Sequence, residues 1–146
     1  MSTSTSAGDP RLADLMAFAR QAVPYWKTLG IELCALEAGK SRFEVTFSPA
    51  LGQGEVMHGG VVASLVDSAC ALAALSRVWP GDWVTSITMN VSYLKPVSGG
   101  RIAAEGACLR VGRNLVFCEA KVWAAGGELV GRGSSELMRV PLPRRG

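Results

Sequence analysis

The stretch EVMHGGVVASLVDSACALAALSRVW, Glu55 to Trp79, decides how this chain folds. From Val61 to Leu75 its apolar residues fall nearly all round a helix: Val61, Val62, Ala63, Leu65, Val66, Ala69, Cys70, Leu72, Ala73 and Leu75. A helix that is apolar on every side must be enclosed by the rest of the protein rather than laid on its surface. One acid, Asp67, stands in the middle of it, and the chain's single histidine, His58, precedes a Gly59–Gly60 pair at its start.

Toward the N-terminus, Asp9-Pro10 reads as a helix cap followed by proline at the first helical position. Leu12, Leu15, Met16, Ala19 and Val23 then keep helical spacing until Pro24 stops it. From Ile31 the period changes to two, which predicts two strands around a Glu-Ala-Gly-Lys turn. Phe43, Val45 and Phe47 share one face and Arg42, Glu44 and Thr46 the other. Beyond the long helix, WVTSITMNVSYLKP alternates Ile87, Met89, Val91 and Tyr93 against Ser86, Thr88, Asn90 and Ser92 until Pro96 ends the strand. Three further strands follow, at 101–111, 114–124 and 128–140, joined by Gly-Arg and Ala-Gly-Gly turns that suit tight hairpins. The expected order is a helix, two strands, the long helix and a four-strand meander: an α+β fold whose curved, mostly antiparallel sheet wraps the long helix.

With 146 residues and 49% hydrophobic content, the chain has enough material for one well-buried core. One domain is expected over 9–140, between a disordered N-terminal segment at 1–8 and a flexible tail at 141–146. The Ser/Thr-rich start lacks the apolar core of a signal peptide. No run approaches the eighteen apolar residues that span a bilayer, so a soluble, cytoplasmic protein without membrane contact is expected. A net charge of +3, with basic residues scattered among acids, lacks the footprint of a nucleic-acid binder. Cys34, Cys70, Cys108 and Cys118 form no CxxC pair and lie in apolar runs, so they read as reduced core thiols and no metal site is expected.

An ionised carboxylate in an apolar surround costs several kcal/mol, on the order of 5, unless partnered. Asp67 is therefore held by neighbours such as Ser64 and Ser68, or protonated, or placed at a cleft. The His-Gly-Gly helix start presents backbone N–H groups that lack intrahelical partners, and such donors suit the oxyanion that develops on a carbonyl under attack. His58 itself is expected to cap or orient this loop rather than to act as base. Donors and a carboxylate together are the minimum equipment for hydrolysing an activated acyl group. Yet Gly59 and Asp67 are eight residues apart, about 12 Å along one helix, too far to touch one carbonyl. A second copy of the helix, running antiparallel, must supply one of them, which predicts a dimer. No GxSxG elbow is present, and His58 and Cys70 lie about 18 Å apart on the same helix, so no serine or cysteine triad is assembled locally.

The segment HGGVVASLVDSA resembles the hotdog-fold acyl-CoA thioesterases of the phenylacetate-pathway type, whose pattern is HGG, a short gap, then Leu-x-Asp-x-Ala. The resemblance runs from about Gly30 to Val140 and includes the Tyr-Leu-x-Pro strand end, the GGRI entry and the Val-Gly-Arg turn. It implies a five- or six-strand sheet around the helix, homodimers that pair into tetramers, and hydrolysis of acyl-CoA without metal or cofactor. Carried over by position, the family's catalytic acid falls on Asp67, its oxyanion-binding amide on Gly59, its loop histidine on His58 and a water-holding hydroxyl on Ser86. Many members carry Asn or Gln six residues before the histidine. Here that position is Gly52, and Gln53 takes the role only if the loop is shifted by one residue. For the substrate, Gly60 belongs to the same helix start, Met57 and Trp83 are expected to shape an acyl pocket between subunits, and Arg110 and Arg113, with Lys95, are candidates to face the nucleotide phosphates, the alternative being ordinary solvated charges at strand ends and turns. A non-catalytic acyl-CoA or acyl-carrier binder with a structural Asp67 is the alternative, and the acyl group stays open between aromatic and medium-chain acids.

Overall fold

The computed structural model describes residues 8–143. Asp9 caps helix α1 (Pro10–Ala22), its carboxylate accepting from the Arg11 amide at 3.0 Å, while Pro10 takes a position whose N–H needs no partner. Leu12, Leu15, Met16 and Ala19 turn inward from this helix. Pro24 ends α1 as expected and also opens a short second helix that the sequence reading did not foresee, α2 (Pro24–Leu29), closed by Gly30 at φ 75°. Proline cannot continue one helix, but its fixed φ starts the next.

Strands β1 (Glu32–Glu37) and β2 (Lys40–Thr46) form the expected hairpin, with Phe43 and Val45 fully buried. A short helical turn (Pro49–Leu51) and a two-residue ribbon, β3 (Gly52–Gln53) with β4 (Val56–Met57), lead into the long helix α3 (Gly59–Val78). Strands β5 (Asp82–Tyr93), β6 (Arg101–Val111), β7 (Leu115–Trp123) and β8 (Leu129–Pro141) complete one antiparallel sheet in the order β1-β2-β6-β7-β8-β5.

That order corrects the expected meander. β6, β7 and β8 do run as a meander, but β5 lies at the far edge against β8. The reason is α3: it crosses the face of the sheet from the β2 side, so the chain emerges at the opposite edge, and residues 94–100 must bring it back beside β2. The crossing is close. A Cβ at Gly106 would lie 2.2 Å from the Ala69 carbonyl oxygen, and one at Gly133 would lie 2.7 Å from Val66 Cγ1. Only glycine lets helix and sheet backbones approach so far.

A second correction concerns β5. Its pairing with β8 shifts register between Ser86 and Thr88, so the strict alternation of Ile87 with Met89, Val91 and Tyr93 is broken. The bulge brings Ser86 to the α3 side together with Met89. A third concerns membrane-spanning length: α3, at 20 residues and mean hydropathy 1.6, is long and apolar enough to cross a bilayer, contrary to the sequence reading. Most of its surface is instead covered by the sheet, with thirteen of its residues buried. At the C-terminus, residues 141 and 142, expected in a flexible tail, are tied to the sheet and the loop before β5. Pro141 still pairs with Asp82, and the Leu142 amide donates to the Gly81 carbonyl at 3.0 Å. Residues 1–7 and 144–146, the rest of both expected terminal segments, lie outside the described residues.

Candidate active site

At the start of α3, the His58 ring Nδ1 accepts a hydrogen bond from the Gly60 amide at 2.8 Å and its carbonyl accepts from the Val61 amide at 3.0 Å. The His58 amide is itself tied to the Leu51 carbonyl at 2.9 Å. With Nδ1 accepting, the neutral ring carries its proton on Nε2. Among the described residues the Gly59 amide has no hydrogen-bond partner, so it is the donor this helix start leaves open. The Tyr93 ring lies against Gly59, where a Cβ would meet its Cε1 at 3.1 Å.

Asp67 is half-buried on α3, and the Ser86 hydroxyl of β5 donates to its Oδ1 at 2.8 Å. The serines beside it in sequence are occupied elsewhere. Ser64 donates to the Gly60 carbonyl and accepts from the Tyr25 hydroxyl, both at 2.8 Å, while Ser68 accepts from Trp26 Nε1 at 2.8 Å. Asp67 opens instead onto a groove of about 530 Å³ between α2, α3 and β5, and Trp83 stands in the same groove. Trp83 is braced by Phe18 of α1 and by Trp79, with ring centroids 5.9 and 6.3 Å away.

The structure thus gathers Asp67, Ser86 and Trp83 in one groove. His58, Gly59 and Gly60 sit at the helix start, with the Gly60 amide taken by His58. Eight residues, about 12 Å, separate Gly59 from Asp67 along α3. Gln53 is exposed on the β3–β4 ribbon that precedes His58. Met57 is not in the groove: its amide donates to the Val97 carbonyl at 2.7 Å and its side chain is buried in the core. Arg110 pairs with Phe117, next to the inward-facing pair of Val111 with buried Val116, so it projects from the sheet face opposite α3. Arg113 is exposed at the tip of the β6–β7 hairpin, and Lys95 is engaged in an ion pair with Glu128. The groove wall formed by Val23, just before α2, and by Tyr25 and Trp26 within it was missed in sequence. Its signal was Pro24 followed by two aromatics and Gly30, the start and stop marks of a short helix.

All four cysteines are free. Burial pushes the Cys70 thiol up to about 12, with the nearby Asp67 carboxylate adding to the effect, and burial likewise raises Cys118. Among the described residues no group of three or more His, Cys, Asp and Glu side chains is placed to hold a metal ion.

A sheet wrapped around one central helix, with a carboxylate half-buried on that helix and a Gly-rich helix start, defines the hotdog-fold class. The profile of the Thioesterase superfamily matches residues 54–131, more than half of the chain. The chain belongs to that superfamily and is a thioesterase-family enzyme. Acyl-coenzyme A thioesterase 13 of Pongo abelii is 35% identical over 81 residues, 53% of this chain and 56% of that protein. A thioesterase family protein of Silicibacter pomeroyi, of known structure, is 29% identical with a TM-score of 0.79, covering 90% of this chain and 97% of its own. The PaaI protein of the Escherichia coli phenylacetic acid degradation operon shares the fold at 21% identity and a TM-score of 0.80, over 88% and 94% of the two chains.

Proposed function

We propose that this protein hydrolyses acyl-coenzyme A thioesters to the free acid and coenzyme A, with Asp67 as general base or nucleophile. The observation that carries the reading is the placing of Asp67. Its neighbouring serines serve Tyr25, Trp26 and the helix backbone, and its carboxylate faces an apolar groove with one hydrogen bond from Ser86. A carboxylate there, with its acceptor capacity only partly used, can take a proton from water or attack a carbonyl carbon directly. As a base, Asp67 removes the water proton as oxygen bonds to the thioester carbon. The tetrahedral oxyanion then collapses, the C–S bond breaks and coenzyme A leaves as thiolate. As a nucleophile, Asp67 forms a mixed anhydride with the same departure of thiolate, and water cleaves the anhydride. In both routes Ser86 orients the carboxylate.

The oxyanion needs a donor, and the open Gly59 amide is the one at hand, reinforced by the helix dipole. His58 is a positioning residue: by taking the Gly60 amide it fixes the turn that leaves the Gly59 N–H without a partner among the described residues. Because about 12 Å separates Gly59 from Asp67 in one chain, the donor comes from a second copy. β5 supports this arrangement, since it is a twelve-residue edge strand exposing Ile87, Met89 and Tyr93. Antiparallel pairing of two such edges sets the two α3 helices side by side in opposite directions, so that each Gly59 faces the other chain's Asp67. The relative named acyl-coenzyme A thioesterase supports the choice of thioester. Gln53 is a candidate carbonyl contact, and Arg113, exposed at the tip of the β6–β7 hairpin, a candidate phosphate contact.

Release of free thiol from a panel of acyl-CoAs tests the reading. Wild-type protein releases coenzyme A, and Asp67→Asn, which keeps the shape and the Ser86 contact, lowers turnover by roughly a hundredfold with folding intact. A folded Asp67→Asn variant with wild-type turnover contradicts it, and leaves Asp67 a structural group in a binder.

A further inference from the structure

The groove beside Asp67 is unequal on its two sides. Toward the start of α3 it is polar, with Ser64 and the Tyr25 hydroxyl bonded to it. Toward the end of α3 it is apolar: Ala71 and Leu75 follow Asp67 along the same helix face at steps of four residues, and Leu72 lines the groove beside them. Trp83 stands at that end, since β5 begins four residues after α3 stops, and the Trp79 and Phe18 rings, 4.9 Å apart, back it. Ala71 is the small residue, one helical turn beyond the carboxylate, that leaves the passage open.

We propose that this apolar limb is the channel for the acyl chain and that Trp83 is its end wall, so that the preferred substrate is a thioester of a straight saturated acid of about eight to ten carbons. The length rests on geometry. Asp67 and Leu75 are eight residues apart, about 12 Å along the helix. Carbon–carbon bonds of about 1.5 Å advance an extended zigzag chain by roughly 1.3 Å each. With the carbonyl carbon held at Asp67, the chain reaches Trp83 after about eight to ten carbons. A phenylacetyl group fills only the first half of the limb. The proposal rests on hydrolysis at Asp67 for its kinetic readout, and on binding alone for its second readout.

Saturated acyl-CoAs from two to sixteen carbons, with phenylacetyl-CoA beside them, are assayed for kcat/KM by thiol release on wild-type protein. Dissociation constants are measured calorimetrically on Asp67→Asn. Each methylene buried in the limb raises kcat/KM by up to about fourfold, on the order of a hundredfold from butanoyl to octanoyl, and the gain stops at the wall. Ala71→Leu fills the passage one turn past Asp67 and moves the optimum to about four carbons. Trp83→Ala removes the wall and moves it to twelve or more. Where either variant fails to fold by circular dichroism, the smaller changes Ala71→Val and Trp83→Leu carry the same directions. A length profile that is flat from four carbons upward, or one that stays in place in the folded variants, overturns the channel while leaving the hydrolase reading standing. Binding constants that peak at eight to ten carbons and shift with Ala71→Leu support the channel even if wild-type protein hydrolyses none of the panel, a result that sinks only the hydrolase reading.

Discussion

Gly106→Ala measures how tightly the central helix is seated on the sheet, and through that how firmly Asp67 is held. The added Cβ would stand 2.2 Å from the carbonyl oxygen of Ala69, 2.5 Å from its carbonyl carbon and 2.8 Å from Ser41 Oγ. Two of those atoms are backbone and cannot rotate aside. The third belongs to a hydroxyl that donates to the same Ala69 carbonyl at 2.6 Å, so relieving the clash also breaks a buried hydrogen bond. Overpacking of this kind costs about 1–3 kcal/mol, and the buried Ser41 hydroxyl, left without its acceptor, costs about 1–3 kcal/mol more. The total of about 2–6 kcal/mol lowers the melting temperature of a domain this size by roughly 6–20 °C. Ala69 is two residues from Asp67, so the helix shift also moves the carboxylate away from Ser86 and turnover falls well below the melting point. Differential scanning calorimetry reads the first effect and thiol release the second. Gly99→Ala is the control: no atom lies within 4 Å of its Cβ position and its φ is not positive, so it stays within about 0.5 kcal/mol of wild type. A Gly106→Ala protein that melts within 2 °C of that control, a window of roughly half a kcal/mol, refutes the close seating of α3 on β6.

Ser86→Ala removes the hydrogen bond to Asp67 Oδ1 and lowers kcat about tenfold with the fold retained, as followed by thiol release and circular dichroism; an unchanged kcat leaves the hydroxyl without a part in orienting the acid. Burial keeps Cys70 and Cys118 protonated at neutral pH, so alkylation of the native protein at pH 7.5 spares both, and activity with them, as peptide mass spectrometry would show. At Glu44 burial acts to raise the carboxyl, but hydrogen bonds from Cys34 and Arg101 and the charges of Arg101 and Arg42 outweigh it and hold the group below its ordinary value of 4.5. A depressed carboxylate stabilises the fold fully above that value and loses its contribution as pH falls below it. Wild-type protein therefore loses more stability to urea between pH 5 and pH 3 than Glu44→Gln does, whereas parallel losses would contradict this.

The parts of the fold that were legible in sequence are those fixed by local chemistry. The 101–111 strand is where its alternation puts it, and the two that follow start and stop within one residue of the Gly-Arg and Ala-Gly-Gly turns, because period two and turn glycines act over a few residues. The apolar helix with its Asp67 was equally clear. Three features depend on residues far apart in the chain and were not. β5 is placed by the path of α3 across the sheet. The bulge at Ser86 is set by pairing with β8, and without it Ser86 would face away from Asp67. Ser64 and Ser68, the near candidates to hold Asp67, are claimed by Tyr25 and Trp26 from a helix about forty residues away. Of the expected substrate contacts, Met57 lies in the core and Arg110 on the far face, while Gly59 and Asp67 are split by a helix half-length, as their eight-residue spacing in sequence requires.

That split makes complementation between two inactive variants the most direct test of the site. Asp67→Asn removes the acid. Gly59→Pro removes the donor N–H at the first helical position, where proline is tolerated, and His58 before it is already extended at ψ 136°. The exposed Tyr93 ring is the neighbour that must yield. In a mixed dimer one site collects both lesions and the other none. With random pairing half of the dimers are mixed and half of their sites intact, which regenerates about a quarter of wild-type activity from two inactive parents. Tagged chains and mass measurement establish that mixed dimers have formed. Recovery to about that level is the predicted result. Confirmed mixed dimers of folded chains that stay as inactive as either parent contradict the shared site, and Asp67 would then have to work with donors from its own chain.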